Sequence, residues 1–198
     1  MQRFGTSSIW PACYSLIFCV TAFSASQGLT YPLLSLVMER SGEPASAIAL
    51  NAAMTPLGII ASAPIINRHA HRFSTGVSIA TAIGLTIVTL LLIGWFSNPL
   101  AWLPLRLFLG CTVNVVYVLS EATLLTVAPP SHRGRLMGAY TCITNAGYAL
   151  GPLLLTVAGS TGSTAFLLLS AFLMTAMAPF LFIVVDRPSA VSGAARAR

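Results

Sequence analysis

The sequence predicts an all-α membrane protein, a bundle of six transmembrane helices. Three observations lead there. Of 198 residues, 56% are hydrophobic and only 7% are charged, whereas a soluble domain carries about a quarter charged residues. Too few charges remain to cover a folded surface in water, so a soluble enzyme and a disordered chain are poor fits. Mean hydropathy is +0.85, and the apolar residues gather into runs of the roughly 20 residues that cross a bilayer. The net charge of +6 comes from arginines scattered in twos and threes between those runs, with no lysine and no basic stripe. They read as markers of membrane sidedness rather than nucleic-acid contacts, so the expected surroundings are a lipid bilayer and no nucleic acid is expected as a partner.

The six helices are expected at about 12–38, 45–66, 75–96, 100–127, 133–158 and 163–185. The separators carry proline, glycine and charge, which end helices: Glu39 to Pro44, Asn67 to Arg72, Ser97-Asn98-Pro99, Pro129 to Arg135, and Gly159 to Gly162. Arg3 ahead of the first run imitates a signal peptide, but the run is too long for one and no compelling small-x-small cleavage site follows. It reads as a retained helix 1. Residues 1–11 are then a cytoplasmic N-terminus, and 188–198, rich in Ala, Ser and Arg, a cytoplasmic disordered tail.

Orientation follows from the arginines. With the N-terminus inside, the inner segments hold Arg3, Arg68, Arg72, Arg133, Arg135, Arg187, Arg196 and Arg198, and the outer segments hold Arg40. That asymmetry puts both termini in the cytoplasm of a multi-pass protein of the plasma (inner) membrane.

Polarity divides the helices. Helix 3 carries only scattered Ser, Thr and Gly, and helix 6 only Ser170 and Thr175, so both are expected at the periphery. Helix 4 differs. With Arg106 as zero and about 100° per residue, Gly110 falls at about 40°, Asn114 at about 80°, Tyr117 at about 20° and Glu121 at about 60°. Intramembrane Arg and Glu are functional candidates by default, the alternative being that both snorkel near the interfaces, with Glu121 pairing with Arg133 or Arg135. Arg106 and Glu121 stand about 22 Å apart along the axis, too far to pair with each other. Weaker stripes are Ser24, Gln27 and Tyr31 in helix 1; Asn51, Thr55, Gly58 and Ser62 in helix 2; and Thr141, Asn145, Tyr148 and Pro152 in helix 5. Small-residue packing and interhelical hydrogen bonds are the competing account of these. A cavity lined by helices 1, 2, 4 and 5 explains the division.

No cofactor, metal or catalytic site is expected. Cys13, Cys19, Cys111 and Cys142 lie in apolar runs without ligand spacing. His69, His71 and His132 fall in inner loops with no thiolate or carboxylate set around them, and no Ser/His or paired-carboxylate arrangement suggests an enzyme.

These residues resemble the N-terminal six-helix half of a major facilitator superfamily (MFS) transporter. The segment Ala63 to Arg72 is similar to the family's G-x-L-x-D-R-x-G-R-R loop: Arg68 and Arg72 match, while Asn67 stands where the family has Asp, and Ala63 and Ala70 replace its glycines. Arg106 and Gly110 match R-x-x-x-G, whose arginine the family links to proton coupling. Gly147, Gly151 and Pro152 resemble the G-x-x-x-G-P of drug–proton antiporters, with Leu153-Leu154 where a Gly-Gly usually follows.

The resemblance implies a secondary active transporter, proton-coupled and exporting small organic molecules by alternating access. Arg106 and Glu121 are then the coupling candidates, and Gln27, Tyr31, Asn51, Asn114, Tyr117, Asn145 and Tyr148 line the substrate path. Asn67, Arg68, Arg72, Gly110, Gly147, Gly151 and Pro152 belong to conformational motifs. Family members usually have twelve helices in two halves, so the expected partner is a second six-helix half, from a homodimer or a separate chain, unless the chain is a truncated or split transporter. The alternative is a non-transporting membrane module.

Overall fold

The computed structural model describes residues 9–69, 74–96, 98–158 and 162–186. They form six α-helices: α1 (Ile9–Arg40), α2 (Ala45–His69), α3 (Thr75–Trp95), α4 (Pro99–Val127), α5 (Arg133–Ala158) and α6 (Gly162–Asp186). Every regular element among the described residues is helical, and α1 to α4 are long and apolar enough to cross a membrane. Arg72, His71, residues 1–8 and the 188–198 tail lie outside the described residues, as do the side chains of Asn67 and His69.

Local chemistry explains the ends. α1 begins at Ile9, ahead of the expected start near 12: Ile9 and Trp10 extend the apolar run, and Pro11 falls in the first turn, where a missing N–H leaves no carbonyl unserved. Its C-terminus closes on Gly42, with φ +77°. The Glu43 amide reaches back to the Met38 carbonyl (3.1 Å) and the Gly42 amide to that of Glu39 (3.0 Å), a Schellman closure that needs the left-handed residue. α4 is capped by Asn98, whose Oδ1 accepts from the Leu100 amide at 2.9 Å, with Pro99 at the first helical position.

The helices pack in the spatial order α2, α4, α3, α6, α1, α5, with lesser contacts of α1 on α4 and α2 and of α4 on α5. Among the described residues α2 and α5 scarcely touch, so the bundle is open on that side. Exchanging α1, α2, α3 for α4, α5, α6 leaves the packing pattern unchanged: α1/α5 maps onto α4/α2, α1/α6 onto α4/α3, and α3/α6 onto itself. Tyr31 lies by Arg106 and Ser24 by Tyr117, so α4 runs antiparallel to α1 and the two three-helix units form an inverted repeat.

Glycine sets the closeness of both equivalent contacts. A Cβ on Gly28 of α1 would run into the carbonyl of Tyr148 in α5, and one on Gly151 into the backbone of Gly28 and Leu29. Likewise a Cβ on Gly110 of α4 would meet the Thr55 carbonyl of α2, and one on Gly58 the carbonyl of Leu107. Backbones this close gain dispersion contacts and need no side chain between them. Behind them α3 and α6 bury Ile79, Ile83, Leu90, Phe166, Leu169 and Leu173 against the inner helices. Leu57 and Ile60 of α2 and Leu153 of α5 are exposed.

Candidate functional site

Arg106, two turns into α4, is 1% exposed and is the only buried charged side chain among the described residues. Its Nη1 donates to Oδ1 of Asn51 in α2 at 2.9 Å. Its guanidinium carbon lies 5.2 Å from the ring centroid of Tyr31 in α1, within cation–π range. The Tyr31 ring stands 6.3 Å from that of Tyr148 in α5. Four helices thus contribute one side chain each to a single cluster, and they are the four that the polarity division singled out.

The cluster is under-satisfied. Arg106 Nε and Nη2, Asn51 Nδ2, Thr55 Oγ1 and both amide atoms of Gln27 are buried without a hydrogen-bond partner in the protein. Most buried polar groups are paired, so such a concentration asks for an explanation. Several other buried hydroxyls close on their own helix, as Ser26 does on Phe23 (2.8 Å) and Thr30 on Ser26 (2.7 Å), while those of Ser120, Tyr140 and Ser170 stand unpartnered outside the cluster. Closing on the same helix is the ordinary fate of Ser and Thr in a helix.

The rest of the α4 stripe fans out. Tyr117 meets α1: its hydroxyl is 2.9 Å from Ser24 Oγ, and its ring packs edge-on to Phe23 at 5.8 Å. Asn114 turns to α2, where Nδ2 donates to the Ile59 carbonyl and to Ser62 Oγ, both at 3.0 Å. Its amide nitrogen is therefore a cross-link between α2 and α4. Asn114→Ala is expected to destabilise the chain by about 1–2 kcal/mol, read as a lowered unfolding midpoint in detergent; an unchanged midpoint would show that the cross-link is idle.

Glu121 is exposed. Among the described residues it forms no ion pair, and the expected link to Arg133 or Arg135 is absent: Arg133 Nε donates instead to the Ala128 carbonyl at 3.2 Å, which its own helix start brings nearer. Asn145 is exposed on α5, one turn before the exposed Tyr148. Gly147 and Gly151 are buried against α1, Pro152 is exposed, and Arg68 is exposed at the end of α2.

Sequence reasoning passed over Gly28, and Ser120 and Tyr140, whose buried hydroxyls also lack partners. A signal for Gly28 existed: Thr21, Ala25 and Gly28 follow i, i+4, i+7, a small-residue stripe matching Gly147 and Gly151 across the interface. Nothing in the local sequence marks Ser120 or Tyr140.

The sequence profile of the Major Facilitator Superfamily matches residues 16–198. A Bacillus subtilis (strain 168) protein described as an uncharacterized MFS-type transporter, YfkF, is 26% identical over 141 residues, covering 70% of this chain and 36% of its own length. An uncharacterized MFS-type transporter of Yersinia enterocolitica is 34% identical over 82 residues, 41% of this chain and 22% of its own length. The chain therefore spans about a third or less of the curated relatives it matches.

Proposed function

Because the chain belongs to the Major Facilitator Superfamily, and so is an integral multi-pass membrane protein of a transporter family, we propose that it forms one wall of a solute pathway in a secondary active transporter. The observation that carries this reading is the cluster of Arg106, Asn51, Tyr31 and Tyr148, drawn from four helices. Its unpartnered buried donors and acceptors are expensive in a bundle that only needs to pack. Left alone, the open side between α2 and α5 would turn Tyr148 and Asn145 to lipid. A second six-helix half, supplied by another copy or by further chain, covers it, and rocking of the halves gives alternating access.

The finer proposal is proton-coupled export of small organic molecules across the inner membrane, with both termini cytoplasmic. Support comes from Arg106 with Gly110, from Gly147, Gly151 and Pro152, and from the arginine asymmetry. Gln27, Tyr31, Asn51, Tyr117, Asn145 and Tyr148 line the path, Asn114 bracing it from behind. Glu121, exposed on the same stripe, carries the proton, and Arg106 couples it to the solute.

The test begins with the N-terminally tagged chain in mild detergent, its complex weighed by native mass spectrometry. A defined homodimer or a pair with a second six-helix polypeptide, able to drive flux in liposomes, supports the reading. A monomer inert in every assembly state supports the non-transporting module instead. In the active assembly, Glu121→Gln is expected to cut proton-driven flux at least tenfold and to spare solute exchange at equal pH. Undiminished proton-driven flux would remove Glu121 from the coupling.

A further inference from the structure

We propose that the Arg106 cluster recognises a carboxylate on the transported solute, so that the substrates are small organic anions with an aromatic or apolar body. This rests on the transport pathway proposed above. Asn51 takes Nη1 and the Tyr31 ring covers the guanidinium face, while Nε and Nη2 stay unpartnered. Those two lie along one edge of the planar fork, and that edge binds a carboxylate with two parallel N–H···O bonds.

The charge balance points the same way. The chain has four acidic residues. Glu39 and Glu43 sit at the α1–α2 turn and Asp186 ends α6. Glu121 is about 22 Å further along α4. Among the described residues no carboxylate pairs with Arg106, so the buried cation would repel a cationic solute and gain most from an anion.

The neighbours suit an oxyanion. Asn51 Nδ2 and Gln27 Nε2 are further buried, unpartnered donors. Gln27 shares the face of α1 on which Ser24 meets Tyr117 and Tyr31 meets Arg106. Exposure rises outward from Arg106, 1% exposed, to Tyr148, 42% exposed. The half-buried Tyr31 ring and the exposed Tyr148 ring are thus the parts of the cluster nearest the surface, where an aromatic solute body would stack.

The same two-oxygen acceptor could come from a lipid phosphate, so the experiment separates the sources. The full chain is placed in nanodiscs of phosphatidylcholine and its thermal unfolding followed with benzoate, benzamide or benzylammonium, which share one ring and differ in charge. Benzoate is expected to raise the midpoint saturably, and the other two are not. Arg106→Gln should weaken the benzoate response roughly tenfold to a hundredfold. Arg106→Lys keeps the charge, so it guards against a folding defect, and should still lose about tenfold because the fork is gone. Three results overturn the proposal: benzoate no better than benzamide, a response equal in both variants, or stabilisation by phosphatidylglycerol nanodiscs with none by benzoate. Arg106-dependent benzoate binding without flux in any assembly would leave the site standing and remove the transport reading. Flux of a neutral or cationic solute that benzoate does not disturb would remove the carboxylate site and leave transport.

Discussion

Replacing Arg106 with methionine is expected to leave the bundle as stable as before or more so, by up to about 2 kcal/mol, and, on the proposed solute pathway, to abolish flux through the assembled protein. Three terms decide the sign. Taking away an uncompensated buried cation relieves a desolvation penalty of several kcal/mol. Against that stand the cation–π contact with Tyr31, worth roughly 2 kcal/mol when desolvated, and the loss of Asn51's partner, roughly 1–3 kcal/mol. The first term matches or exceeds the sum of the others because Arg106 is 1% exposed and its Nε and Nη2 have nothing to bond. Arg106→Met with Asn51→Leu should recover the Asn51 term and rise further. Unfolding midpoints and flux measured on the same preparations check this. A fall of more than about 2 kcal/mol with flux retained would make Arg106 a packing element, since a buried cation kept for function trades stability for it.

The second large effect is steric. Gly28→Val is expected to prevent α1 from seating on α5, lowering stability by about 3 kcal/mol or more. Overpacking against flexible side chains costs about 1–3 kcal/mol, but here the obstacle is backbone, the Tyr148 carbonyl, which cannot turn aside. The inverted repeat supplies a second case: Gly110→Val, facing the Thr55 carbonyl in the equivalent contact, should fail to a similar degree. Gly84→Ala is the control. A Cβ there meets nothing within 4 Å, and the gain in helix propensity, up to about 1 kcal/mol, should raise the midpoint. If Gly28→Val and Gly84→Ala behaved alike, close backbone approach would not be what holds α1 to α5.

The composition, the six apolar runs and the polar stripe on α4 were all legible along the chain. Hydropathy and i, i+3, i+4 spacing depend only on neighbouring residues and on the fixed pitch of a helix. For the same reason Arg106 stood out, and helices 1, 2, 4 and 5 could be told from 3 and 6. Partners were another matter. Asn51 and Arg106 are separated by 55 positions, as are Ile59 and Asn114, and which of them meet depends on how two helices cross. The wheel put Asn114 and Tyr117 on one stripe, yet the tertiary structure sends one to α2 and the other to α1. It also left Glu121 without the arginine partner that its sequence neighbourhood suggested, and made Gly28 a seat for α5. Periodicity gives each helix a face, and only the packing of backbones against each other decides what that face meets.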